Sequence, residues 1–162
     1  MNYMKINEND IANGEGISVS LFVSGCPHHC PGCFNSETWD FEAGQPFTQQ
    51  EIDFIEEALV KNNIQRNFSI LGGEPLAPEN RGTIASLIEE LREKFQDKIK
   101  IYLWTGYTYE DLKSFDDLVI NYILEEIDVL IDGPYLEEYR NITLPLRGSS
   151  NQRVLYLKID NE

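Results

Sequence analysis

Cys26-Pro27-His28-His29-Cys30-Pro31-Gly32-Cys33 contains all three cysteines of the chain, in the spacing C-x3-C-x2-C. A loop this short keeps the three sulfur atoms close enough to face one inorganic centre. Thiolates favour iron–sulfur clusters or zinc. Three cysteines that hold a four-iron cluster leave one iron open, and an open coordination position can take a substrate. The stretch therefore predicts a metal or cluster site.

Zinc is the main alternative to a cluster at this loop, because His28 or His29 could supply a fourth ligand. Zinc sites usually combine two ligands from one loop with two from elsewhere in the chain, which favours a cluster here. A disulfide with one free thiol is a third reading, and the tight spacing in a chain without a secretion signal disfavours it. Outside a metal site, both histidines are ordinary solvated loop residues.

Length and charge limit the possible functions. The chain has 162 residues, which suits a single domain over residues 1–162. A complete eight-fold β/α barrel needs about 250 residues and is excluded. Lys and Arg number 13 and Asp and Glu number 28, a net charge of −15 that would repel nucleic-acid phosphates. The acidic surface could steer a basic protein partner, although a solvated surface without a partner is the simpler interpretation.

The sequence predicts no membrane segment. No apolar run approaches the ~20 residues of a membrane span. The polar residues from Met1 to Asn13 lack the apolar core of a secretion signal. We therefore expect a protein of the reducing cytoplasm.

Apolar patterning predicts alternating strands and helices. The predicted strands are residues 17–23, 67–71, 100–104, 127–131 and 154–159. The predicted helices are residues 48–63, 79–96 and 108–124, with Thr48 and Glu51 forming a capping box at the start of the first. This repetition predicts an α/β fold with a mainly parallel sheet and helices outside it.

Polar and glycine-rich segments follow the predicted strands, in chain order the cysteine loop, Gly72-Gly73-Glu74-Pro75, Thr105 and Asp132. The carboxyl ends of parallel strands meet at one edge of a sheet, so these segments predict a single site. Two glycines allow a ligand to approach the backbone closely, although such pairs also occur in ordinary turns. Asp132 precedes Gly-Pro and can equally be a turn residue.

Several blocks of the sequence resemble a known family. The cysteine spacing after a short apolar strand resembles radical S-adenosylmethionine (SAM) enzymes. A narrower resemblance is to the activating proteins of anaerobic ribonucleoside-triphosphate reductase. It rests on seven blocks in that family's order: Asn13-Gly14-Glu15-Gly16, Gly25-Cys26-Pro27, Cys30-Pro31-Gly32-Cys33-Phe34-Asn35, Gly72-Gly73-Glu74-Pro75, Trp104-Thr105-Gly106-Tyr107, Asp132-Gly133-Pro134-Tyr135 and Arg147-Gly148-Ser149-Ser150-Asn151-Gln152-Arg153. Many radical SAM enzymes have an aromatic residue immediately before the third cysteine, where this chain has Gly32. The activating proteins resemble this chain at that position too.

This resemblance implies a fold, a cofactor and a set of site residues. The fold would be a partial (β/α) barrel of the radical SAM type. The ligands of a [4Fe-4S] cluster would be Cys26, Cys30 and Cys33. The residues around SAM would be Gly72, Gly73 and Glu74 at its amino group, with Thr105 and Asp132 nearby around a cation. The loop over residues 147–153 would line the SAM or partner surface.

The resemblance also implies a reaction and partners. An electron from the reduced cluster would cleave SAM to methionine and a 5′-deoxyadenosyl radical. That radical would remove a hydrogen atom from a glycine Cα in the large reductase subunit, the main partner. The second partner would be an electron-donor protein such as a flavodoxin. A partial barrel has an open side that can admit a loop of another protein.

Three alternatives to this function remain at the level of sequence. The chain could activate a different glycyl-radical enzyme, or it could be a small radical SAM enzyme that acts on a metabolite. In a different functional class, it could be a zinc-stabilised interaction domain without catalysis, in which metal binding contributes directly to folding.

Overall fold

A seven-stranded sheet forms the centre of the computed structural model, which describes residues 1–158. Its strands are β1 (Asn2–Asp10), β2 (Ser18–Val23), β3 (Gln45–Pro46), β4 (Asn67–Gly72), β5 (Ile101–Trp104), β6 (Val129–Asp132) and β7 (Arg153–Tyr156). The helices are α1 (Gln49–Leu59), α2 (Arg81–Phe95), α3 (Tyr109–Ser114) and α4 (Leu118–Glu126). The order of the strands across the sheet is β3-β1-β2-β4-β5-β6-β7.

The middle of the sheet is parallel and its edges are antiparallel. Strands β2, β4, β5 and β6 pair in parallel. Strand β1 runs antiparallel to both β2 and β3 at one edge, and β7 runs antiparallel to β6 at the other. The predicted α/β class with a mainly parallel sheet and helices is confirmed, and the four parallel strands bring their carboxyl ends to one edge.

Alternation along the strands gives the sheet two different faces. In β2, Val19, Leu21 and Val23 join the core cluster that contains the buried side chains of α1, α2 and α4. Ser18 and Ser20 alternate with them and are also fully buried. Because side chains in a strand alternate between faces, the helices pack on the apolar face and small hydroxyl side chains occupy part of the other.

Strand β1 was not predicted from the sequence. Its nine residues, Asn2–Asp10, include few apolar side chains, and Lys5, Asn7 and Asn9 are exposed. The strand pairs with β2 along most of its length and with β3 only at Asn2 and Tyr3, while one face meets solvent. As a consequence, the cysteine loop follows the second strand of the chain and not the first.

The prediction of one helix over residues 108–124 is wrong, because the segment forms two helices. Helix α3 ends at Ser114, and Asp116 adopts a positive φ of 49°. The Asp117 side chain then accepts hydrogen bonds from the backbone N–H groups of Val119 and Ile120, which makes it the N-cap of α4. An aspartate that caps a new helix competes with continuation of the old one.

Other boundaries agree more closely with the prediction. The capping box of Thr48 and Glu51 is present at the start of α1. The last strand spans Arg153–Tyr156, and Ile159, the predicted end of that strand, lies outside the described residues. Within residues 1–158, no helix combines the length and the apolar character needed to cross a membrane.

Replacing Leu87 tests the core that supports the site. Leu87 lies in α2 and is fully buried, so Leu87→Ala should lower the free energy of unfolding by about 2–5 kcal/mol. Leu118 is 84% exposed in α4, so Leu118→Ala is the matched control, with an expected change within about 0.5 kcal/mol. Urea titration followed by circular dichroism measures both, and equal losses would contradict this description of the core.

Candidate functional site

An open cavity of about 330 Å³ lies where the parallel strands end. Seven of the eight predicted site residues line it, namely Cys26, Cys30, Cys33, Gly72, Gly73, Glu74 and Thr105. The exception is Asp132, whose neighbour Gly133 lines the cavity instead. The sheet topology therefore brings segments that are up to about eighty residues apart in the chain to a single site.

The three cysteines are free and half-buried. The backbone N–H of Cys33 donates to the carbonyl of Cys30 at 3.1 Å, and the N–H of Asn35 donates to Cys33 Sγ at 3.4 Å. Burial raises the pKa of Cys26 to about 11, with a further contribution from the negative charge of Glu74, and burial also raises the pKa of Cys30. Because metals bind thiolates, metal binding at this loop is coupled to the release of protons.

The arrangement of donors fits a cluster better than a four-ligand zinc site. Among residues 1–158, no three His, Cys, Asp or Glu side chains are gathered closely enough to hold a single metal ion. His28 Nε2 lies 2.7 Å from Glu74 Oε1, and the His29 ring stacks on Trp39 with centroids 4.7 Å apart. Both histidines thus have other partners, and three thiols alone match a four-iron cluster with one open iron.

The Glu74 carboxylate connects three segments around the cavity. It is 1% exposed, and its Oε1 accepts hydrogen bonds from the N–H of Gly106 at 2.8 Å and from the Thr105 hydroxyl at 2.9 Å, with His28 Nε2 as a third neighbour. Its Oε2 accepts from the N–H of Leu76 at 3.0 Å. This one side chain therefore joins the cysteine loop, the segment after β4 and the segment after β5.

Gly72 and Gly73 allow the ends of β2 and β4 to approach closely. Gly72 has a φ of 103°, and a Cβ atom there would lie 2.7 Å from the backbone nitrogen of Val23. A Cβ atom on Gly73 would lie 2.4 Å from the carbonyl oxygen of Gly25. The packing of the backbone thus requires glycine at both positions, whatever ligand the cavity takes.

The Asp132 side chain does not line the cavity and is bonded to other residues instead. It is 1% exposed and pairs with Arg153, whose Nε lies 3.0 Å from Oδ1 and whose Nη2 lies 2.5 Å from Oδ2. The N–H of Tyr109 also donates to Oδ2 at 2.8 Å, and Arg153 reaches Glu110 as well. Asp132 and then Glu110 raise the pKa of Arg153. Thr105 and Asp132 therefore have separate partners, and the role of Asp132 beside SAM stays a prediction.

Two contributions to the site were missed by sequence reasoning. The lining of the cavity also includes Trp104, Leu144 and Leu146, and Trp104 Nε1 donates to the carbonyl of Leu146 at 2.7 Å. Asn80 is fully buried and donates from Nδ2 to the carbonyls of Ser24 and Glu74, which holds the loops after β2 and β4 together. For Asn80 the sequence offered no signal, since the predicted helix over residues 79–96 includes it, whereas α2 begins only at Arg81.

Comparison with known proteins gives a consistent family. A family model described as "4Fe-4S single cluster domain" matches residues 12–155. The anaerobic ribonucleoside-triphosphate reductase-activating protein of Escherichia coli strain K12 is 40% identical over 159 residues, which cover 98% of this chain and 100% of the relative. The protein of the same name from Enterobacteria phage T4 is 41% identical over 154 residues, covering 95% and 93%. That of Vibrio cholerae is 39% identical over 153 residues, covering 94% and 96%.

Replacing Glu74 tests its role as a connector. Glu74→Ala leaves buried donors of Thr105 and Gly106 without an acceptor, so we expect a loss of about 2 kcal/mol or more in the free energy of unfolding. Glu79→Ala is the matched control, since Glu79 is exposed in the same segment. Urea titration under anaerobic, reducing conditions measures both variants, and equal small changes would show that the Glu74 hydrogen bonds do not stabilise the fold.

Proposed function

Because the chain belongs to the family of anaerobic ribonucleoside-triphosphate reductase-activating proteins, we propose that it generates a glycyl radical on the large subunit of that reductase. The observation that carries this proposal is a single cavity lined by three half-buried thiols and by Gly72, Gly73 and Glu74. When bound there, a [4Fe-4S] cluster and SAM supply the 5′-deoxyadenosyl radical that removes a hydrogen atom from a glycine Cα.

The protein's own residues bind and orient these groups. In this proposal Cys26, Cys30 and Cys33 would hold the cluster, and three protein ligands would leave one iron available to SAM. The backbone of Gly72 and Gly73 approaches the SAM amino group, and the Glu74 carboxylate supplies negative charge beside it.

The proposed fold and partners follow from the same family. We propose that the mixed sheet is a partial barrel of the radical SAM type, whose open side admits the glycine loop of the large subunit. Glycine alone offers a Cα without a side chain, where a radical is sterically accessible. An electron-donor protein such as a flavodoxin would reduce the cluster, and the reducing cytoplasm would keep the thiols available.

Metal content and its response to SAM test the proposal. After anaerobic reconstitution we expect about four irons and four sulfides per chain. The EPR spectrum of the dithionite-reduced protein should change on addition of SAM, because SAM binds the open iron. With the large reductase subunit present, a glycyl-radical signal should then appear. Zinc in place of iron, or a cluster that does not respond to SAM, would contradict the proposal.

Cys30→Ala separates the cluster from the fold. We expect this variant to lose SAM cleavage while its far-UV circular dichroism stays close to that of the unchanged protein, because Cys30 lies outside every strand and helix. Ser36→Ala is the matched control, an exposed position just after the loop whose side chain caps nothing. Unfolding of Cys30→Ala alone would instead favour a structural zinc site.

A further inference from the structure

Arg147 is the single Lys or Arg among the described residues that line the cavity. The chain has more than twice as many acidic as basic residues, 28 against 13. Glu74, the cavity's buried carboxylate, lies in the same lining. A positive side chain in this position is therefore an exception to the overall charge of the protein, and it gives the cavity one group of each sign.

The guanidinium of Arg147 has unused hydrogen-bonding capacity. Its Nη1 donates to the carbonyl of Gln152 at 2.9 Å, while its Nε is buried and has no partner among the described residues. Among the described residues, Arg81, Arg92, Arg140 and Arg153 each have a carboxylate within 4.0 Å, whereas Arg66 and Arg147 have none. Arg66 is instead held by Asn9 and several backbone carbonyls. Because Nε is enclosed by protein, a ligand cannot reach it, whereas Nη2 makes no hydrogen bond to the described residues and is left free for an anionic ligand.

The backbone around Arg147 is fixed on both sides. The carbonyl of Leu146 accepts the Trp104 indole N–H, and the N–H of Gly148 donates to Gln152 Oε1 at 2.9 Å. Leu146 itself has a φ of 64°, which is unfavourable for a branched side chain. Such a conformation persists where the surrounding contacts enforce it, and it is common at ligand sites. The loop therefore holds Arg147 at the cavity before any ligand arrives.

We propose that Arg147 binds the carboxylate of the methionine part of SAM, an inference that rests on the proposed function. The carboxylate is the only anionic group of SAM, whose sulfonium and ammonium are both positive. A guanidinium matches a carboxylate with two parallel hydrogen bonds, and its two terminal nitrogens, Nη1 and Nη2, can form such a pair while Nε stays enclosed. The two charged groups of the cavity, Arg147 and Glu74, would then match the two charged ends of an amino acid.

The test compares SAM with decarboxylated SAM, which keeps the adenosyl, sulfonium and ammonium groups and lacks only the carboxylate. Both are measured by equilibrium dialysis on the reconstituted protein with its cluster oxidised, so that SAM is not cleaved. For Arg147→Gln, we expect the preference for SAM over decarboxylated SAM to fall by about tenfold or more, as charged hydrogen bonds predict. Contacts between the carboxylate and iron affect both proteins and cancel in this comparison.

Arg140→Gln is the matched control, because Arg140 is in the neighbouring loop, is half exposed and pairs with Glu137 at the surface. It should leave the preference for SAM unchanged. An equal fall in both variants would show a general effect of charge, and an unchanged preference in Arg147→Gln would overturn the proposal. If Arg147→Gln does not retain its cluster, Arg147→Lys decides in its place, since it keeps the charge and loses the paired geometry. An unchanged preference in Arg147→Lys would then overturn the proposal.

This test also separates the inference from the proposed function. If the unchanged protein holds about four irons and does not bind SAM, the proposed function fails and takes the role of Arg147 with it. If the unchanged protein binds SAM, and Arg147→Gln shows the same preference for SAM over decarboxylated SAM, the proposed function stands and only the role of Arg147 is wrong.

Discussion

The buried carboxylate of Glu74 is the interaction on which the geometry of the site depends. A carboxylate with 1% exposure is costly unless its oxygens are satisfied, and here the donors come from segments far apart in the chain. Thr105 and Gly106 follow β5, Leu76 follows β4, and His28 belongs to the cysteine loop. Satisfying this one charge therefore brings the ends of three parallel strands into a single arrangement.

The sheet supports this arrangement by using its two faces differently. The helices cover the face with Val19, Leu21 and Val23, and this side supplies most of the apolar burial. On the other face, Tyr102, Val129 and Ile131 form a smaller cluster with side chains that include Trp104 and Leu146. The smaller cluster continues directly into the cavity wall, so the packing that closes the sheet also shapes the place where a ligand would bind.

Local patterns predicted much of this protein, and contacts between distant residues explain what they missed. The strand before the cysteine loop and the Thr48 capping box are local signals, and both were predicted correctly. The contact between His28 and Glu74 spans 46 residues, and no local pattern announces it. For Asp132, the position after a strand was predicted, but the pairing with Arg153 was not. The break between α3 and α4 at Asp116 was missed, because it depends on a helix cap that competes with continuation of α3.

The two sides of the cavity are synthesised at different times. The cysteines and the glycine pair lie within the first half of the chain, while the wall with Leu144, Leu146 and Arg147 comes close to its end. Strand β7 follows that wall, and the Tyr156 hydroxyl reaches back to Glu15 across 141 positions. Because a chain emerges from the ribosome in order, the cysteine loop exists for a time without this part of the cavity wall. During that interval the thiols are exposed on a side that the finished protein covers.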